Sequence, residues 1–437
     1  MTRTVVVLAG GLGLRVAHLT GPDLPKALLP VGGHPFIDLK LAELIAGGAE
    51  EIVLLVGHNA HALDEHLRAA APPGARVRCV EDGPELLGTG GAIRRALDGL
   101  PDRFWVTYGD TLLDVPMERV EEFADASDVP AVMVVLENAD RWETSNVSVA
   151  DGRVAAYEKG APPGTHRFID YGMLLLGRES FAARPPGTSF DLGEILTEEI
   201  AHGRLGAWTV SERFRDIGTE AAWRDTDAWV RERAVWDALQ ERIRRRGYPA
   251  IFLDRDGVLV ESRRAPGGST PPVSVDDVAI LPGVADALHA LRGAGYRLVV
   301  VTNQPDVARG TVTQAEADAI NEAIRDALPV DAIYACFHDG PDCECRKPRP
   351  GMLHDATREL DLDLRRSWLI GDRWVDIAAG DAAGVRTVLI DRAWSWNATS
   401  SGAAPSELAP GFAVASMPDA VTQILGAPVD ERAKAPE

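Results

Sequence analysis

The feature that most constrains this chain is an alternation of short apolar strands with amphipathic helices that runs along nearly its whole length and restarts half-way. Strands read at Thr4–Ala9, Glu51–Val56, Arg76–Val80, Phe104–Tyr108, Ala131–Leu136, Tyr171–Leu176 and Arg213–Asp216. A helical stretch, Glu220 to Arg246, follows and ends in a basic run that suits a helix C-terminus rather than a nucleic-acid patch. A second series begins at Ala250–Leu253 and continues at Arg297–Val301, Ala332–Phe337, Ser367–Ile370 and Arg386–Ile390. Strand–helix alternation of this kind predicts an α/β architecture with largely parallel sheets. At 437 residues, the restart predicts two domains: 1–235 and 248–425, joined by a helical linker at 236–247 and followed by a disordered tail at 426–437. Asn397–Pro410 reads as a loose loop.

The charge balance excludes several classes of function. Asp plus Glu number 66 against 45 Lys plus Arg, a net −21, which disfavours nucleic acid and anionic lipid as partners. No apolar run approaches a membrane span, the first strand lacks the flanks of a signal peptide, and four cysteines do not make a secreted disulfide framework. The expectation is a cytoplasmic protein whose partners are small molecules; oligomeric state is not readable. Only five of the basic residues are lysines: Lys26, Lys40, Lys159, Lys347 and Lys434. A lysine retained among arginines suggests a site that needs a compact ammonium.

The first strand runs into Gly10-Gly11-Leu12-Gly13-Leu14-Arg15, which is either a tight strand-to-helix turn or a loop whose backbone approaches phosphate. It is neither a Walker A nor a dinucleotide fingerprint, since no Gly-Lys-Ser/Thr closes it and Val16 stands at the third glycine position. Around it stand Leu24-Pro25-Lys26, Leu87-Gly88-Thr89-Gly90-Gly91, Tyr157-Glu158-Lys159, and two strand-end carboxylates, Asp110 and Asp216, placed to share one Mg²⁺. In combination these motifs make residues 1–235 resemble the sugar-1-phosphate nucleotidyltransferases, which have a Rossmann-like fold. The resemblance implies that Gly10, Gly11, Gly13 and Arg15 hold a nucleoside triphosphate, that Lys26 stabilises the transferring phosphoryl group, that Asp110 and Asp216 bind Mg²⁺, and that Lys159 holds a sugar phosphate. Gly88 and Thr89 join the substrate-binding set. The Leu87–Gly91 segment and Phe168-Ile169-Asp170-Tyr171-Gly172 resemble the heptose 1-phosphate guanylyltransferase type, with GTP favoured and ATP open.

In the second half, Ala250–Leu253 ends in Asp254-Arg255-Asp256-Gly257. Two carboxylates two residues apart at a strand end suit a nucleophile and its acid. Thr302-Asn303-Gln304 offers donors to phosphate, Arg346-Lys347 supplies positive charge, and Gly371-Asp372, with Asp376 four residues on, supplies a further metal carboxylate. This order resembles the haloacid-dehalogenase-type phosphatases, and implies Asp254, Asp256 and Asp372 about Mg²⁺ with Lys347 as a catalytic cation. Separations of 48 residues from Asp254 to Thr302 and 45 from Thr302 to Lys347 leave no room for a large cap, so the domain is expected to be capless.

Cys336, His338, Cys343 and Cys345 form a Cys₃His set suited to one structural Zn²⁺, the alternatives being a strained disulfide or idle thiols. With Ala308-Arg309-Gly310 and Arg346-Lys347-Pro348, this loop resembles heptose 1,7-bisphosphate 7-phosphatases, adding Thr302, Asn303, Arg309 and Arg346 as substrate-binding residues. Pro305-Asp306 and Arg373 depart from that pattern beside the phosphate site. Together the resemblances imply a bifunctional enzyme that removes the 7-phosphate of a heptose bisphosphate and then transfers a nucleotidyl group to heptose 1-phosphate. The alternatives are another sugar bisphosphate or histidinol phosphate beside a hexose 1-phosphate transferase, or one domain acting as a nucleotide-sugar sensor.

Overall fold

The computed structural model describes residues 2–10, 14–20, 24–57, 60–70, 72–81, 87–265, 268–340, 343–399 and 401–426. The chain divides into two compact units, Thr2–Ile243 and Arg244 onward.

The first unit is built on nine strands in the order Arg76–Glu81, Glu51–Val56, Thr4–Leu8, Arg103–Tyr108, Phe168–Gly177, Ala131–Glu137, Leu205–Val210, Arg153–Tyr157, Val147–Ala150. The first four are parallel. Phe168–Gly177 runs antiparallel to both neighbours, so the sheet is mixed and not largely parallel. Three of its strands, Val147–Ala150, Arg153–Tyr157 and Leu205–Val210, were not anticipated. They are short, and small or polar residues interrupt their apolar pattern. Thr4–Leu8 is buried over its first four residues and lies where the strand order reverses, so Gly10 opens onto a crevice at the carboxyl ends.

The stretch Glu220 to Arg246 is two helices, Glu220–Glu232 and Val235–Arg246, not one. The break has no Gly or Pro to announce it; Ala234 takes a left-handed backbone, φ +46°. The first of these helices holds two segments of the site. Trp223 Nε1 donates to Pro30 O (2.9 Å) and Gly32 N to Asp227 Oδ1 (2.7 Å), while Thr226 Oγ1 donates to Asp216 O (2.7 Å). Gly32, at φ +63°, packs so closely on Val230 that a Cβ would lie 2.3 Å from its Cγ1.

The second unit carries a fully parallel six-stranded sheet in the order Ala332–Cys336, Arg297–Asn303, Ala250–Leu253, Trp368–Gly371, Arg386–Ile390, Phe412–Val414. The last strand, just beyond the expected loop, was not anticipated. Ala250–Leu253 is buried throughout and again sits at the switch point, which puts Asp254 in the crevice. Between Asp254 and Thr302 the described residues hold one small hairpin, a single 3₁₀ turn at Val275–Asp277 and the helix Val284–Gly293. Between Thr302 and Lys347 they hold the helix Gln314–Ala327 and the sheet strand Ala332–Cys336, so no cap domain intervenes among the described residues. Residues 427–437, read as tail, lie outside the described residues.

Ala234 is exposed and pays the steric penalty that glycine avoids in this region. Ala234→Gly should therefore stabilise the chain by about 0.5–1 kcal/mol. Urea denaturation followed by circular dichroism checks this, with a higher midpoint expected for the first unit.

Candidate active sites

In the first unit two strand ends bring the carboxylates together. Asp216 pairs with Thr111 in a two-residue ladder, and Ile217 N donates to Asp110 O (3.1 Å). Lys26 Nζ donates to Asp110 Oδ2 at 2.6 Å. A Cβ built on Gly218 would lie 2.9 Å from Asp216 Oδ1, 3.5 Å from Arg15 Nη2 and 3.9 Å from Lys26 Nζ, so these three groups border one small space. Gly10 follows the strand paired to that of Asp110, with Gly109 N donating to Leu8 O at 2.9 Å. Gly11 and Gly13 lie outside the described residues.

Two carboxylates near this site carried no motif. The partly buried Glu43 accepts from Lys40 Nζ (2.9 Å) and from Leu113 N (2.7 Å), which fastens the segment after Asp110 to the helix Phe36–Gly47. Glu143 stands above the usual carboxylate range because it is partly desolvated and close to Asp216 and Asp110, with Arg15 and Arg213 opposing.

Lys159 and Thr89 gather instead around Asp191, which sequence reasoning missed. Lys159 Nζ donates to Asp191 Oδ1 (2.9 Å) and Thr89 Oγ1 to Asp191 Oδ2 (3.2 Å). Asp191 also caps the helix Leu192–Ala201; desolvation raises its pKa, but Lys159 and Gly193 N outweigh it and hold the carboxyl low. Tyr108 feels Asp170, Asp191 and Asp110 together, although burial is the main cause of its raised pKa. The glycines of Leu87–Gly91 have a packing reason. At Gly88 (φ +69°) a Cβ would meet Phe190 O at 2.6 Å, and at Gly90 the Phe190 ring at 2.3 Å.

In the second unit Lys347, 1% exposed, is the centre of a buried charge cluster. Its Nζ lies 2.7 Å from Asp254 Oδ1, 2.5 Å from Asp376 Oδ1 and 2.7 Å from Val301 O. Burial disfavours the ammonium, but Asp254 and Asp376 outweigh it and raise its pKa. Asn303 clamps the lysine's backbone on both sides: its Nδ2 donates to Lys347 O and its Oδ1 accepts from Lys347 N, each at 3.0 Å. Asp254, Asp372 and Asp376 present carboxylate oxygens within 4.8 Å of one another. One ammonium cannot balance three carboxylates; burial, with Asp254 and Asp376 adding to it, pushes Asp372 well above its usual range. Burial likewise pushes Asp376 up to about 6, Lys347 opposing. Such a donor set fits a divalent cation.

Asp256 is placed differently from the sequence expectation of a metal carboxylate. Its side chain is gripped by the fully buried Arg255 (3.0 and 3.1 Å) and accepts from Gln304 Nε2 (2.6 Å), outside the cluster of three. Burial raises its pKa, with Arg255 opposing and Asp254 adding to the rise. Thr302, also buried, accepts from the same Gln304 amide at 2.9 Å.

A pocket of about 280 Å³ is lined by Asp254, Asp256, Asn303, Asp306, Arg309, Arg346 and Arg373, and also by Ala398 and Thr399. Arg309 is held by Asp339 (2.6 and 2.8 Å), and Arg346 Nη1 donates to His338 O (2.8 Å). Both arginines thus connect to the loop of Cys336, His338, Cys343 and Cys345. The ligand atoms of that set also lie within 4.8 Å of one another; Cys336 and Cys343 Sγ are 3.7 Å apart and His338 Nδ1 is 3.1 Å from Cys343 Sγ. No disulfide joins these thiols. Three sulfurs and one imidazole nitrogen facing one point fit a four-coordinate Zn²⁺.

Comparison with known proteins agrees with this division. The family model for MobA-like NTP transferase domains matches residues 5–185, and that for HAD-hydrolase-like domains matches residues 344–413. D-glycero-β-D-manno-heptose-1,7-bisphosphate 7-phosphatase of Photorhabdus laumondii is 38% identical over 160 residues, 33% of this chain and 81% of the relative. The protein of the same name from Escherichia coli K12 is 38% identical over 158 residues, 33% of this chain and 79% of the relative. Through its second unit, the chain belongs to the heptose-bisphosphate phosphatase family. This phosphatase unit follows an NTP transferase unit, and the chain is an enzyme with both activities. The crystal structure of HddC from Yersinia pseudotuberculosis is similar to 52% of this chain and 99% of its own, at 25% identity and a TM-score of 0.45. Among the described residues, no helix is long and apolar enough to cross a membrane.

Gly257, at φ +90°, lies against the phosphatase cluster so closely that a Cβ would sit 2.2 Å from Asp372 Oδ2. Gly257→Ala should displace Asp372 and lower Mg²⁺-dependent phosphate release by about 10²-fold. Pyrophosphate release by the first unit, assayed in the same sample, should be unchanged.

Proposed function

We propose that this chain performs two successive steps toward a nucleotide-activated heptose. The second unit removes the 7-phosphate of D-glycero-D-manno-heptose 1,7-bisphosphate, and the first joins the resulting heptose 1-phosphate to a nucleotide, releasing pyrophosphate. The observation that carries this reading is the pairing itself. A phosphatase unit 38% identical to heptose-1,7-bisphosphate 7-phosphatases accompanies an NTP transferase unit, whose acceptor we read from its motifs as a sugar 1-phosphate. GTP is the assigned nucleotide, on the resemblance carried by Leu87–Gly91 and Phe168–Gly172, and ATP is its competitor. The transferase spans 1–235 and the phosphatase 248–425.

In the phosphatase, Asp254 attacks phosphorus while Asp256 gives its proton to the departing sugar oxygen. Asp256 then takes a proton from the water that hydrolyses the aspartyl phosphate. Lys347 holds and aims Asp254, and Thr302 and Asn303 orient phosphate oxygens. Asp254 and Asp372 would hold Mg²⁺, which when bound neutralises phosphate charge. Cys336, His338, Cys343 and Cys345 would hold a structural Zn²⁺, which when bound would stiffen the loop that carries Arg346 and Lys347. In the transferase, Gly10, Gly11, Gly13 and Arg15 hold the triphosphate and Lys26 steadies the α-phosphoryl group. Asp110 and Asp216 would hold a second Mg²⁺, which supplies the same neutralisation there. Lys159 holds the sugar phosphate, with Gly88 and Thr89 beside it. The reaction is in-line displacement by the sugar phosphate oxygen, so positioning and charge do most of the work.

Protein purified without chelator should contain about one Zn²⁺ per chain by elemental analysis. Cys343→Ser should lose it and impair phosphate release while sparing pyrophosphate release; zinc-free wild type would contradict this.

The order of the steps follows from charge. The 7-phosphate carries nearly two negative charges. The transferase's assigned cations are Arg15, Lys26 and Lys159, the last already facing Asp191. An unpaired dianion there would cost several kcal/mol, on the order of 10²–10³ in specificity. Asp254→Asn should therefore make almost no nucleotide sugar from the bisphosphate, yet use heptose 1-phosphate normally with GTP. Mass spectrometry of the products reads the outcome, and a 7-phosphorylated nucleotide heptose would refute the order.

A further inference from the structure

The two oxygens of Asp372 are treated differently. Oδ2 accepts a hydrogen bond from Trp394 Nε1 at 2.6 Å and lies against Gly257, where a Cβ would come within 2.2 Å. Oδ1 is buried without a hydrogen-bond partner among the described residues. The Asp372 carboxylate belongs to the cluster with Asp254 and Asp376. Terminal carboxylate torsions are broad and nearly two-fold, so an undirected Asp372 would exchange its oxygens and sample other orientations. A donor on one oxygen removes that freedom and leaves the other to ligate.

The segment that brings Trp394 is itself fixed to Asp372. Ser395, 1% exposed, donates through Oγ to Asp372 O (2.6 Å) and accepts from Arg392 N (2.8 Å). Trp374, at the start of the helix after Asp372, donates through its backbone N to Ser395 O (2.9 Å) and through Nε1 to Asn397 O (3.1 Å). The next residues, Ala398 and Thr399, line the substrate pocket.

We propose that Trp394 is a positioning residue of the phosphatase: its indole N–H turns Asp372 so that Oδ1 faces the divalent cation. This rests on reading Asp254 and Asp372 as that cation's site. The same segment forms the pocket wall, so substrate shape and cation geometry are set by one piece of chain.

The test uses the full chain carrying Asp110→Ala and Asp216→Ala, so that the transferase contributes no cation site, with Mn²⁺ binding followed by electron paramagnetic resonance of the free ion. Trp394→Phe keeps a ring and removes the donor. Its Mn²⁺ dissociation constant should rise about 10–100-fold, with the unfolding midpoint unchanged and phosphate release recovering as Mn²⁺ is raised. Replacing Trp394 with 3-benzothienylalanine, which carries sulfur where the indole has N–H, should give the same shift in an unchanged shape, and serves if the phenylalanine variant does not fold. Asp372→Asn in the same background should abolish binding. A folded variant at position 394 that binds Mn²⁺ within twofold of the parent, while Asp372→Asn does not bind, overturns the role of Trp394 alone. Undiminished binding by Asp372→Asn overturns the cation-site reading and the proposal with it.

Discussion

A single ammonium enclosed among carboxylates governs the phosphatase unit. Lys347 cannot leave water without its partners, and Asp254 and Asp376 cannot leave water without it. Removing one member of such a buried pair costs about 3–5 kcal/mol, because the other charge is left unbalanced. Much of the surrounding geometry serves to deliver these groups to one point. The parallel sheet supplies three strand ends, Asn303 grips the lysine's backbone on both sides, and Gly257 has no side chain to obstruct Asp372. The thiol and imidazole loop precedes Lys347 directly, so its rigidity is transmitted to the cluster through two peptide units.

The transferase unit meets the same problem with a looser solution. Its charges are partly exposed and are shared between two groups, Lys26 with Asp110 and Lys159 with Asp191. Partial exposure suits a site that must admit two polyanions, since water moderates the repulsion until they are in place. Rigidity comes from behind: Glu43 fastens the segment following Asp110, and the helix Glu220–Glu232 ties both Pro30 and Asp216.

What could be read in the sequence was whatever a strand end announces. Asp254-Arg255-Asp256-Gly257 and Tyr108-Gly109-Asp110 stand out because an acidic residue right after a buried apolar run needs a task. Asp191, Glu143 and Trp394 were invisible for the opposite reason. Each lies in a loop far along the chain from its partner, in surroundings that also suit a helix cap or a surface residue. The strands Val147–Ala150 and Arg153–Tyr157 were missed because their sheet-edge position leaves a weak apolar alternation. The break at Ala234 was missed because an alanine with positive φ leaves no compositional trace. Asp256 was placed about the metal by the resemblance, and a resemblance in motif cannot show that the neighbouring Arg255 turns inward to hold its side chain.

The scarcity of lysine gives the chain an unusual chemical handle. Lys40 and Lys347 are buried at 0% and 1% exposure, the first locked to Glu43 and the second within the phosphatase cluster. Among the described residues, the amines left to meet solvent are those of Lys26 and Lys159, and both belong to the transferase. Lys159, with half its side chain exposed, is the more open of the two. Among the described amines, acylating or reductively alkylating reagents are thereby directed by composition and burial toward one of the two reaction centres; Lys434 and the Met1 amine lie outside the described residues.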